Sequence, residues 1–279
     1  MSKTSKSIVV ATAACLAVAL AWNTPVQAQG RGGRGGAAGA PPVRIRVQVT
    51  QVKPDMAAAY QNVIRTEIVP ALKKAGQPWQ WMFTTGAVGQ GATFVTVRPI
   101  ANYAEFDQPG ALGRALTPEG AAKVVAKITP TIVGQTSWVQ TLNQNASIQS
   151  NSPTPPALVL VQDFHVIPGK NGEFANIMTM EYLPAMRKAG VKDFWVYNVN
   201  LGDAPGGTVS VVRVIANYAE LDPQPGGGLL VRGGLTQEQA QQLNARRAAL
   251  ISSTETNVYR YVPDLSYGMP PAPPAGRGN

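Results

Sequence analysis

The chain has 279 residues, with 24 Lys and Arg against 15 Asp and Glu, one histidine, and a formal charge of +9. Five of the cations (Lys3, Lys6, Arg31, Arg34 and Arg277) sit in terminal segments, so the remaining basic excess is too mild for a nucleic-acid footprint. The single cysteine, Cys15, lies in the N-terminal apolar run, which excludes a disulfide framework and a thiolate site from everything after it.

Residues 1–28 read as a secretory signal peptide. Lys3 and Lys6 make a basic start, 8–21 is an apolar stretch short for a membrane span, and Val26-Gln27-Ala28 presents small residues before the cut. This predicts a periplasmic or secreted protein with no stable membrane insertion after cleavage. Residues 29–42 form a Gly/Arg leader, read as a flexible segment and not as an RNA-binding tract. Two copies of one unit follow, at 43–142 and 157–267, joined by a polar linker at 143–156 and followed by a Pro/Gly tail at 268–279.

The duplication is visible in the residues. Positions 47–76 align without gaps on 161–190, and eleven of the thirty are identical, including Glu67/Glu181, Pro70/Pro184 and Gly76/Gly190. Ile100-Ala-Asn-Tyr-Ala-Glu-Phe-Asp107 returns as Ile215-Ala-Asn-Tyr-Ala-Glu-Leu-Asp222. In each copy a strand comes first (Val43, Ile45, Val47 and Val49 alternate with polar residues; the counterpart is 158–166). A helix follows, with an apolar stripe at Tyr60, Val63, Ile64, Ile68, Ala71 and Leu72, repeated from Phe174 to Met186. Gly76 and Gly190 suit a left-handed cap, and Pro70 and Pro184 predict a kink. Two strands then run at 79–85 and 92–100, with counterparts at 193–199 and 208–215. A second helix is capped by Thr117 or Thr236, and a last strand lies near 136–142 or 257–262. This is the order of a ferredoxin-like βαββαβ unit. The expected fold class is therefore α+β: two tandem units packed sheet to sheet as an intramolecular α/β barrel, so that each covers the other's open face.

Internal symmetry sorts the polar residues. The symmetric Glu67/Glu181 and Arg98/Arg213 are expected to form one structural Glu–Arg pair per copy, because a carboxylate on an apolar stripe needs a partner. Asp163 and His165 occur in one copy only, aligned with Val49 and Gln51, and share one strand face. With Arg213 they form the candidate catalytic set, Asp163 orienting the imidazole. Trp79, Trp81, Trp195 and Tyr197 crowd the second strands and, with Arg98, form the candidate ligand-binding set. One histidine and no cysteine argue against a zinc site. The expectation is no metal and no cofactor, with haem through His165 as the alternative. There is no nucleophile elbow and no phosphate-binding loop.

The element order in both copies, with the helix Glu67-Ile-Val-Pro-Ala-Leu-Lys-Lys-Ala-Gly76 and its twin ending at Gly190, resembles the dimeric α/β barrel superfamily, including antibiotic-biosynthesis-monooxygenase-like, NIPSNAP-like and chlorite-dismutase-like members. The resemblance implies a pocket between the sheets and a monomer that does the work of a dimer, with a homodimer still open. Three functions follow: an exported protein binding a small apolar or aromatic molecule; a cofactor-independent oxygenase or isomerase on such a substrate; or an interaction module with a filled barrel.

Overall fold

The computed structural model describes residues 43–150, 152, 154–202, 205, 207–222 and 227–270, all within one compact unit spanning Ala40–Asn279. The segments read from the sequence as a signal peptide and a leader, and the tail beyond residue 270, lie outside the described residues. Among the described residues, no helix is long and apolar enough to cross a membrane.

The first unit contains β1 (Arg44–Val52), α1 (Ala57–Val63), α2 (Val69–Lys74), β2 (Trp81–Thr85), β3 (Thr93–Ile100), α3 (Ala111–Ala115), α4 (Pro118–Ile128) and β4 (Ile132–Leu142). The second repeats it with β5 (Leu158–Val166), α5 (Asn171–Ile177), α6 (Leu183–Lys188), β6 (Phe194–Gly202), β7 (Thr208–Ile215), α7 (Leu229–Arg232), α8 (Gln237–Ala248) and β8 (Ile251–Tyr261). All eight strands join one closed antiparallel barrel in the order β1-β3-β2-β8-β5-β7-β6-β4. Each unit supplies four consecutive staves. The seams between units are β2–β8, where Phe83 faces Tyr261, and β4–β6, where Leu142 faces Tyr197. One chain thus removes its own sheet edges.

Period-two alternation gives each strand an inner and an outer face. The inner face holds Ile45, Val47, Trp79, Trp81, Phe83, Val95 and Val159, with Trp138, Trp195, Tyr197, Tyr259 and Tyr261 packed on them. The outer faces carry the helices over two further cores, one around Tyr60, Leu72 and Met82 and one around Phe164, Phe174 and Met178.

The kinks expected at Pro70 and Pro184 take a specific form. A π-helical turn, Ile64–Ile68 or Met178–Tyr182, precedes each proline, which then sits second in α2 or α6, where an N–H is not needed. Both helices close on a Schellman cap: Gly76 at φ +77 donates to Lys73 O, and Gln77 donates to Leu72 O, each at 3.0 Å; Gly190 and Val191 repeat it.

The segment after each unit's last strand crosses to the other unit. After β4, Ile148 pairs with Phe194 and Ser147 Oγ accepts from Val196 N–H at 2.9 Å. After β8, Tyr267 pairs with Gln80 and Ser266 Oγ accepts from Met82 N–H at 2.9 Å. Ala146 and Leu265, at matching places in these two arms, are both 0% exposed. The polar linker is therefore partly a docked arm.

The expected Glu–Arg pairs do not form. Glu67 accepts from Lys127 Nζ at 2.9 and 3.1 Å, and Glu181 accepts from Arg246 at 2.8 and 2.6 Å. Each glutamate stands on the flank where the first helix meets the second, half in solvent, while the strand arginines run beneath the helices. The symmetric pairs tie helix to helix, not helix to strand.

Candidate functional site

The helices leave an opening over the second unit's sheet. A cavity of about 720 Å³ lies between β5, β6 and β7 on one side and α6, α7 and α8 on the other, a size suited to a small ligand. Its walls are largely apolar: Leu160, Met178, Met186, Phe194, Val211 and Leu230. Alternation explains the choice of strand residues. Leu160 and Gln162 face outward from β5, while Val159 and Val161 face the barrel.

Polar groups gather on one side of this chamber. Arg213 crosses from β7 and donates to Glu220 Oε2 at 3.1 Å. Burial pulls its guanidinium below the ordinary arginine value, and Glu220 partly offsets this. Arg247, from α8, lies over the rings of Tyr182 and Phe164, 4.8 and 4.9 Å from their centroids. Its Nε–H is buried without a hydrogen-bond partner. The Tyr182 hydroxyl donates to Asn244 Oδ1 in a short contact. Burial raises the Tyr182 phenol, the Arg247 charge opposes that rise, and the result favours the neutral hydroxyl. The chamber therefore offers an apolar body, two guanidinium groups, a phenol and four side-chain amides, those of Gln162, Gln237, Gln241 and Asn244. Such a site accepts an apolar molecule carrying an anionic or strongly hydrogen-bonding head.

The sequence-derived candidates fall in three places. Arg213 lines the cavity. Asp163 and His165 do not: they lie on the odd-numbered, barrel-side face of β5, so the structure separates them from Arg213. There Asp163 Oδ1 accepts from Ser210 Oγ, and burial, helped by Glu255, raises its carboxyl. His165 Nδ1 is 2.9 Å from Thr208 Oγ1, whose own proton goes to Pro205 O at 2.6 Å, so Nδ1 carries the hydrogen. His165 Nε2 faces Glu255 at 3.6 Å. Trp79, Trp81, Trp195 and Tyr197 fill the barrel, with the Trp81 and Trp195 rings 6.5 Å apart. The cavity thus lies between sheet and helices, and the space between the two sheets, where the pocket was expected, is occupied by these rings. Arg98 occupies the place in the first unit that Arg213 has in the second. Its Nε donates to Gln80 Oε1 at 2.7 Å, and burial, with Arg46 nearby, pulls it to about 10.

Several lining residues were not among the sequence candidates: Tyr182, Asn244, Arg247 and the short α7. The signal was present in the repeat. Ile68, Val125 and Ile128 of the first copy become Tyr182, Asn244 and Arg247 in the second. The asymmetry rule finds all three when applied to helices as well as strands.

No family model matches the sequence, and no curated protein matches it. Solved structures do. An anthrone oxidase-like protein is matched at TM-score 0.56 and 11% identity, over 80% of this chain and 92% of that one. A protein from Fusobacterium nucleatum, provisionally named a monooxygenase, is matched at TM-score 0.53 and 11% identity, over 82% and 98%. These likenesses establish the fold as that of the dimeric α/β barrel proteins, here closed within one chain. A haem-binding protein from Thermus thermophilus is also matched, at TM-score 0.41 and 12% identity, over 80% and 92%. The expectation of no cofactor is corrected by this match, since the fold occurs in a protein described as holding haem. His165 does not fit that role. It points toward Thr208 and Glu255 on the barrel side, and among the described residues the cavity wall contains no histidine or cysteine.

Proposed function

We propose that the chain is an exported small-molecule-binding protein whose ligand is an apolar or aromatic anion held in the second unit's cavity. The observation that carries this reading is the pairing of an apolar chamber of about 720 Å³ with Arg247, whose buried Nε–H has no hydrogen-bond partner among the described residues. Burying that donor unsatisfied costs on the order of 1–3 kcal/mol, a penalty that an acceptor on a ligand would relieve. Arg247 supplies the head-group contact, Arg213 and Tyr182 flank it, and Leu160, Phe194 and Val211 hold the body. Export rests on the basic, apolar and small-residue pattern of the first 28 residues. Finding the chain with an intact N-terminus in the cytosolic fraction would remove that part.

Calorimetric titration with octanoate and with its methyl ester tests the site. The expected result is that octanoate binds, that Arg247→Leu weakens it about tenfold, and that the ester is unaffected. Binding of octanoate that survives a cavity-filling Val211→Trp substitution overturns the assignment. A second reading, an oxygenase acting on a hydroxylated aromatic in the same chamber, is favoured by the neutral Tyr182 phenol beside Arg247, which together would face a developing phenolate. Oxygen uptake that follows addition of a hydroxylated aromatic, and is lost in Tyr182→Phe, is its signature.

A further inference from the structure

A second cavity of about 400 Å³ lies beside the first, and Met178 belongs to the walls of both. The two follow each other along the same strands. On the outer face of β6, Phe194 borders the first cavity, while Val196 and Asn198 border the second. On β7, Arg213 and Val211 border the first and Val209 borders the second. The two lie in line between sheet and helix and share one wall residue, Met178, which is 1% exposed and opens the π-helical turn Met178–Tyr182. The far length differs in chemistry. Among the described residues its wall holds no charged side chain, and its polar side chains are Asn143, Asn171 and Asn198.

We infer that Met178 is a movable partition and that the full groove takes an elongated ligand: an acid at the Arg247 end, an apolar middle passing Met178, and an uncharged hydroxyl or amide at the asparagine end. This rests on the anion-site reading above and extends it. A methionine suits the partition because its thioether chain is unbranched and changes rotamer at little cost. A π-helical turn suits it because such turns interrupt regular helix and recur at functional sites. The asparagines offer both donors and acceptors, so they match a hydroxyl or amide and discriminate against a second charge. One wall of the far length, Asn143, comes from the arm of the first unit, so the extended groove is complete only when both repeats are present.

The test titrates octanoate, palmitate and ω-hydroxypalmitate into the mature chain and into Met178→Ala, Met178→Phe and Asn198→Leu. Octanoate, which ends before the partition, is expected to bind the unaltered chain and Asn198→Leu alike, and its affinity for each Met178 variant is the reference against which the long probes are read. Removing the partition should tighten ω-hydroxypalmitate about tenfold, and the rigid phenylalanine should weaken palmitate and ω-hydroxypalmitate by a similar factor. Asn198→Leu should remove the preference for ω-hydroxypalmitate over palmitate. If Met178→Ala lowers the melting temperature too far for titration, the phenylalanine and leucine variants carry the test. Affinities for the long probes that ignore both residues overturn the inference while leaving the anion site standing. So does a Met178→Ala effect confined to a faster octanoate on-rate, which would make the far length an entrance. Failure of octanoate to bind the unaltered chain removes the anion site and this extension together.

Discussion

Replacing Leu265 by alanine tests whether the exchanged arms hold the barrel shut. Leu265 is 0% exposed, sits in a single 3-10 turn after β8, and is fixed by the hydrogen bond from Gln80 Nε2 to its carbonyl at 3.0 Å. It belongs to the core formed by Tyr60, Leu72, Met82 and Phe94 of the other unit. Truncating a fully buried leucine removes its transfer free energy and leaves a cavity, a loss of about 2–5 kcal/mol. The higher half of that range applies, because the surrounding residues belong to regular strands and helices with little freedom to collapse. For a folded unit of this size, each kcal/mol lowers the melting temperature by about 2–4 °C, so the expected fall is about 7–20 °C. Far-ultraviolet circular dichroism during thermal melting reads it directly. A fall of less than about 2 °C would refute the reasoning, since it would mean that the arm contributes nothing to the core it enters.

Two further outcomes follow. Asp163→Asn should raise the melting temperature at neutral pH. Burial raises this carboxyl in the folded chain, so folding takes up a proton, and the native state loses stability as pH rises from the ordinary carboxylate value through the raised one. The gain from asparagine should fade as pH falls through that window, and a gain independent of pH would reject burial as its cause. Glu181→Gln should barely move the melting temperature, because the ion pair with Arg246 is solvent-exposed and screened by salt. A large fall would restore the buried role expected from its place on the apolar stripe.

Much of the architecture could be read in the chain, and the reasons are local. The alternation from Val43 to Val49, the stripe from Tyr60 to Leu72 and the caps at Gly76 and Thr236 each follow from short-range rules, and the repeat supplies the stripe and the caps twice. The site was less accessible. Asp163 and His165 are conspicuous as residues found in one copy, but a strand has two faces and theirs is the barrel side. The tryptophans line the space between the two sheets as expected, but they fill it, and nothing local tells whether such a space stays open. The partner of Glu181 lies 65 residues away on α8, and only the packing of two helices brings it near. Helix α7 follows Gly227 and Gly228, which read as loop, yet its Leu230 is buried and forms part of the cavity wall.

The crossed arms also govern the order of events when the chain first folds. The seam between β2 and β8 joins Phe83 to Tyr261, so the first half cannot close its sheet until nearly the whole polypeptide exists. The core beneath α1 and α2 waits equally for Leu265. Contacts this distant in sequence make for slow folding, and they leave the first half open while synthesis proceeds. Under the export proposed above, such delay is an advantage: the unfinished half stays threadable. The same logic predicts that the two repeats, expressed as separate chains, remain unfolded apart and regain the barrel when mixed.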